Sequence, residues 1–239
     1  MSIQLVSDGL VRTYDDRFTL GPLDATFSQG VTCLVGPNGA GKSTFFRLAA
    51  GLEVPTAGSV VMVGREGSGR LGYLPQDPSF PPQATGEQFL DYVAWLQKVP
   101  RSARPAAVSS ALDAVGLTER RSQRIRTLSG GMVRRLGIAQ ALVHDPGMLL
   151  LDEPTAGLDP VQRIELREAI TAVAADRVVI VSTHLVEDVR GVADRVFVLD
   201  DGEVVYDGDV ATLEASARAD AVGDTELERA ITGLIRRAP

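Results

Sequence analysis

Three short apolar runs punctuate the chain: Gly30–Val35, Met148–Leu151 and Val178–Val181. Each is strand-length, rich in Val, Ile or Leu, and lacks the polar alternation of a half-exposed strand. That pattern belongs to central parallel strands covered on both faces. Between and around them the apolar positions fall at helical spacing. Thr44–Ala50 reads as a helix closed by Gly51. Val133, Leu136, Ala139 and Val143 share one face of a later helix. Phe89, Val93 and Leu96, then Val108, Leu112 and Val115, mark two more helical stretches, with Pro100–Pro105 interrupting. The region Thr85–Arg126 therefore reads as a small helical sub-domain inserted into an α/β core. Thr225–Arg237 has the spacing of a short amphipathic helix, with no role assigned.

The polar residues that end the buried runs carry the chemistry. The first run leads into Gly36-Pro37-Asn38-Gly39-Ala40-Gly41-Lys42-Ser43, followed by Thr44 and the helix. Glycines at these places let backbone N–H groups turn inward on phosphates, and the helix N-terminus adds a favourable dipole. In this pattern Lys42 is expected to reach the β- and γ-phosphates and Ser43 to ligate Mg²⁺. The second run ends in Asp152-Glu153. Asp152 is expected to hold Mg²⁺, and Glu153 to orient or deprotonate the attacking water. The third run ends in His184, at the carboxyl end of its strand, where the phosphates should lie, so a γ-phosphate contact is expected. His144 ends a helix before Asp145-Pro146, where a partial positive charge would suit the dipole, and is given no chemistry.

Composition narrows the classes. With 44% hydrophobic and 23% charged residues in 239, the chain can bury a substantial core. A net charge of −7 argues against a general nucleic-acid binder, and no nucleic-acid partner is expected. No apolar run approaches the roughly 18 residues of a membrane span, and no signal segment is visible at the N-terminus. A membrane role would therefore need a partner chain. Cys33 is the lone cysteine, which excludes an internal disulfide and suits a reducing cytoplasm.

The phosphate loop, Leu128-Ser129-Gly130-Gly131 and Leu149–Asp159 in this order make the chain resemble the nucleotide-binding subunit of an ATP-binding-cassette (ABC) transporter over nearly its whole length. The resemblance implies an α/β fold: a P-loop NTPase core, mostly parallel sheet with flanking helices, plus an N-terminal antiparallel β region and the helical insert. The expected units are 1–84 (with phosphate loop and lid glutamine), 85–126 (helical), 127–215 (signature helix and the rest of the core) and 216–239 (tail). Leu128–Gly131 is similar to the family's signature motif, which implies that Ser129 and the Gly131 N–H, flanking Gly130, reach a γ-phosphate. Gln76, in Tyr73-Leu74-Pro75-Gln76, resembles the lid glutamine that touches Mg²⁺ and the attacking water. Gly157-Leu158-Asp159 resembles the D-loop, and His184 the switch histidine. Tyr14 falls where the family places an adenine-stacking aromatic; packing of a strand tyrosine on the core is its competitor. Met132 stands where the signature often has glutamine, a change expected to spare the phosphate contact and to alter a neighbouring ribose contact.

The resemblance further implies ATP and Mg²⁺ as cofactors and a composite site, in which one subunit's phosphate loop faces the signature helix of another. The partner would be a second copy or a related ATP-binding subunit. A polytopic membrane subunit on a separate chain would dock near Gln76, Asp77 and Phe80, at the cytoplasmic face of the membrane. The signature with Met132, followed by Arg134 and Arg135, is similar to that of bacterial antibiotic- and lantibiotic-exporter subunits, which favours export. Alternatives are a soluble cassette ATPase acting on DNA, a ribosome or another complex, and an ATP sensor that barely hydrolyses.

Overall fold

The computed structural model describes residues 3–15, 18–64 and 70–235. Among these, six strands form one sheet: β5 (Leu71–Leu74), β6 (Met148–Asp152), β7 (Val178–Thr183), β3 (Gly30–Val35), β8 (Arg195–Asp200) and β9 (Glu203–Gly208), in that spatial order. All neighbours run parallel except the β8–β9 hairpin at one edge. A separate three-stranded antiparallel sheet has the order β2 (Phe18–Phe27), β1 (Gln4–Tyr14) and β4 (Ala57–Val63).

The central strands lack alternation because both faces are covered. Leu34, Leu150 and Ile180 point to a core shared with the antiparallel sheet and helix α1 (Lys42–Ala49), where Phe27 meets Phe45 and Phe197 at centroid distances of 5.3 and 5.4 Å. Their neighbours Cys33, Leu149, Leu151, Val179 and Val181 point the other way. That face is covered by helices including α4 (Gly130–Leu142), α5 (Pro160–Ala174) and α6 (Val186–Val192). A period of two therefore feeds two cores from one strand.

The insert holds α2 (Gly86–Leu96) and α3 (Arg104–Ala114). Thr85 caps α2 in a capping box with Gln88, as a Thr-x-x-Gln sequence should. Phe89 and Val93 are buried as expected, but Leu96 is 53% exposed. The buried arc of α2 is centred on Gly86, Leu90 and Val93, and Leu96 falls outside it; Val99 closes that end of the core instead. The proline interruption ends at Ala103, since Pro105 sits in the first turn of α3, where its missing N–H costs nothing. Val108, Leu112 and Val115 are buried.

After β9 come α7 (Val210–Ala215) and α8 (Glu226–Ile235), the latter closely matching the expected amphipathic stretch; residues 236 and 237 of that stretch lie outside the described residues. Leu227, Ala230 and Ile231 bury the inner face of α8.

Candidate functional site

The parallel register sets the site. Val35 pairs with Thr183, and Asp152 with Ser182, so β3, β6 and β7 all end at one edge of the sheet. The phosphate loop, the two carboxylates and His184 follow from those three ends.

In the loop, Gly39 and Gly41 take φ of +89° and +104°, conformations that favour glycine. Gly36 presses on β8: a Cβ there would sit 2.2 Å from the Leu199 carbonyl oxygen. Gly41 stands at the N-cap of α1 and supplies no side-chain cap, which leaves that helix end suited to an anion. The buried Lys42 ammonium donates to the carbonyls of Gly36 (2.7 Å) and Pro37 (3.1 Å), with Glu153 Oε1 3.8 Å away. Burial pulls its pKa down, against the opposing pull of Glu153 and Asp152.

Ser182 organises the carboxylates. Its hydroxyl donates to Asp152 Oδ1 at 2.5 Å and accepts from the Glu153 N–H at 2.8 Å. Glu153 has a φ of +48°, a left-handed conformation that costs energy for a residue with a side chain. Its Oε2 lies 2.8 Å from Nδ1 of the half-exposed His184. Behind His184, the buried Asp188 accepts from the hydroxyls of Thr155 (2.5 Å) and Thr183 (3.2 Å), and Arg167 Nε lies 3.1 Å away.

A cleft of about 550 Å³ lies over this edge. Of the expected site residues, Tyr14, Asn38, Gly39, Gly41, Lys42, Ser43, Thr44, Gln76 and Glu153 line it. Gly36, Pro37 and Ala40 form the back of the loop, and Asp152 and His184 join through the bonds above. Ser129, Gly130, Gly131 and Asp159 do not line the cleft. Ser129 caps α4, accepting from the Met132 N–H at 3.3 Å, and Asp159 caps α5, accepting from the Gln162 N–H at 2.9 Å. The two caps adjoin: a Cβ on Gly131 would come 2.9 Å from Gln162.

Phe18 and Arg47 also line the cleft, and Ser182 and Asp188 support it. The sequence reading missed all four. Only Ser182, two residues before His184, was within reach of it. The surroundings of His144 do not favour the partial positive charge that would suit the helix dipole. Its ring is buried, Nε2 is 3.0 Å from the Leu71 carbonyl, and Nδ1 has no partner among the described residues. Nε2 therefore donates to that carbonyl, and burial lowers the ring's pKa.

A glycine-rich loop between β3 and α1, facing a buried acid pair at the end of β6, defines a P-loop nucleotide-binding fold. Residues 20–156 match the ABC transporter family, and the chain belongs to that family. The uncharacterised ABC transporter ATP-binding protein YxlF of Bacillus subtilis is 38% identical over 76% of this chain and 62% of its own length. The daunorubicin resistance ATP-binding protein DrrA3 of Streptomyces coeruleorubidus is 33% identical over 90% of this chain and 71% of its own. Among solved structures, cbiO1 of Clostridium perfringens, part of the ABC transporter complex cbiONQ, superposes with a TM-score of 0.79 at 29% identity, over 90% of this chain and 92% of that one. The first three sequence relatives are matched over only 62%, 60% and 58% of their own length.

Proposed function

We propose that this chain hydrolyses ATP and uses the cycle to drive a transporter. The observation that carries this reading is the Glu153 carboxylate, held between His184 and Lys42 at the mouth of the phosphate loop. ATP binds with its phosphates on the N–H groups of the loop and on Lys42, which leaves its carbonyl partners for them. Glu153 takes the proton of a water that attacks the γ-phosphorus, ADP leaves, and His184 holds Glu153 and the γ-phosphate in line. Tyr14 receives the base.

The residues present fit Mg²⁺. Ser43, Asp152 and Gln76 offer oxygen donors, which a hard cation prefers. Among the described residues no group of three or more His, Cys, Asp or Glu could hold a metal, so phosphate oxygens and water would complete its shell. When bound, the ion neutralises phosphate charge.

Ser129, Gly130, Gly131 and Asp159 are assigned to the site of a second ATP-binding subunit, identical or related. Ser129 and Gly130 are exposed. The Ser129 oxygen accepts from Met132 while its own proton stays free to donate to a γ-phosphate. ATP thus joins two subunits and hydrolysis releases them.

A polytopic membrane subunit is the assigned transport partner, which places the chain at the cytoplasmic face of a membrane. No helix among the described residues is long and apolar enough to cross one. Gln76 and Asp77 are exposed beside Phe80, which packs edge-on against Phe89 of α2, and α2 also leaves Tyr92, Trp95 and Leu96 exposed. Thr85 bridges Arg124, which closes the insert at its base and supports treating 85–126 as a unit beside 1–84, 127–215 and 216–239. Export is the proposed direction, from the signature region and the resistance relative, although a relative named for aliphatic sulfonate import matches as well.

The test is a detergent-solubilised pull-down from native membranes with mass spectrometry. A stoichiometric polytopic protein supports the transport reading. A ribosome, DNA or a soluble complex in its place overturns it and leaves the ATP chemistry standing.

A further inference from the structure

Glu53 follows α1 and belongs to no recognised motif, yet it gathers three partners at the rim of the cleft. The Tyr14 hydroxyl donates to Glu53 Oε2. Arg12 Nε lies 3.4 Å from the same oxygen, and Arg47 Nε lies 2.7 Å from Oε1. The Arg12 guanidinium also stands over the Tyr14 ring, 4.8 Å from its centroid, and donates to the Val54 carbonyl at 3.0 Å. Tyr14, Phe18 and Arg47 line the cleft; Arg12 and Glu53 do not. One face of the ring is therefore backed by a cation, and Tyr14 itself lines the cleft.

We infer that Glu53 is a positioning residue for the nucleobase. It locks Tyr14 as a one-sided stacking platform and ties that platform to the helix that starts at the phosphate loop. The inference rests on the reading of Tyr14 as the base contact and deepens it. Tyr14 ends β1 immediately before a turn, paired with Phe18 of β2, and Glu53 supplies a tie from the segment that follows α1. The Glu53 carboxylate, only 21% exposed, sets the ring relative to α1 through Arg47. Thr56 repeats the tie: its N–H donates to the Val11 carbonyl (2.7 Å), and its hydroxyl accepts from the Thr13 N–H (3.1 Å). Spacing between base platform and phosphate cradle is thereby fixed before ATP arrives. A ring without this lock would have to be ordered on binding, which weakens affinity.

The experiment measures dissociation constants of ATP and of inorganic tripolyphosphate for wild type, Tyr14→Ala, Tyr14→Phe, Glu53→Ala and the Tyr14→Phe/Glu53→Ala double variant. Tripolyphosphate has no base, so the ratio of the two constants cancels any change in charge at the cradle. The expected result is a ratio shifted against ATP by about fivefold in Tyr14→Phe and in Glu53→Ala, the cost of ordering one side chain. The double variant should be no worse than the weaker single, because both remove one contact. If Tyr14→Ala leaves the ratio unchanged, Tyr14 is not the base contact and both readings fall. If Tyr14→Ala shifts the ratio and Glu53→Ala does not, the positioning role of Glu53 alone is overturned. Equal loss of both ligands in Glu53→Ala also overturns it, since that is the mark of a residue supporting the fold.

Discussion

Glu153 is where backbone and chemistry meet. Its left-handed φ turns the chain sharply at the end of β6, and Ser182 satisfies its N–H while binding the preceding Asp152. Replacing its side chain by an isostere keeps that turn and removes only the base. Glu153→Gln is expected to retain ATP binding while turnover falls by about 100-fold or more, read as steady-state phosphate release. Turnover like wild type would reassign the base. Lys42→Ala is expected to bring hydrolysis close to zero by emptying the cradle of its buried cation. His144 makes a different kind of prediction. Burial in the fold lowers its pKa below the ordinary 6.5. As pH falls through 6.5, the unfolded chain takes up a proton that the folded ring refuses. Stability therefore declines with falling pH in that window and levels off below the folded pKa. Urea midpoints between about pH 7.5 and 5.5 should show this slope, and His144→Gln should flatten it.

At the scale of elements, the Asp188 carboxylate on α6 fastens three others. It accepts from the hydroxyls of Thr155 in the turn after β6 and Thr183 at the end of β7, and forms an ion pair with Arg167 of α5. Thr183 in turn accepts from the Leu185 N–H, so the segment carrying His184 is closed on itself. Removing one partner of a buried ion pair leaves the other uncompensated. Asp188→Ala is expected to cost about 3–5 kcal/mol in denaturant unfolding, while an Asn replacement, which keeps the shape and one acceptor, should cost less. A loss under about 1 kcal/mol for the alanine variant would show that α6 holds its place by packing alone. The caps of α4 and α5 combine two assigned tasks, since Ser129 and Asp159 hold helix N-termini and belong to the residues proposed to meet a second subunit.

For the whole molecule, the phosphate edge and the Ser129 cap do not share a cleft within one chain, so a complete site in the proposed scheme needs two. Glu153→Gln with millimolar ATP should elute as a dimer in size-exclusion chromatography, and adding Ser129→Glu should return it to a monomer by setting a carboxylate against the γ-phosphate. A Glu153→Gln protein that stays monomeric would remove the composite site for the isolated subunit. The proposed docking surface for a membrane partner, around Gln76, Asp77 and Phe80, adjoins α2 through Phe89, and α2 leaves Tyr92, Trp95 and Leu96 exposed. Trp95→Glu should therefore reduce co-purification of a polytopic protein, and unchanged recovery would move the docking surface elsewhere.

Much of this was legible in the residues themselves. Continuous apolar runs announced β3, β6 and β7, a glycine pattern announced the loop before α1, and helical spacing announced the insert; in each case the cause is local. A resemblance of ordered motifs supplied the family. What lay out of reach depends on which ends meet. Asp152 and Ser182 are far apart in sequence, and only the order β6-β7-β3 sets them side by side. Whether His144 is charged, Leu96 covered or Tyr14 held by Glu53 depends on neighbours that other elements bring. Periodicity and turn chemistry act within a few residues, whereas burial, charge state and hydrogen-bond partners are properties of the packed whole.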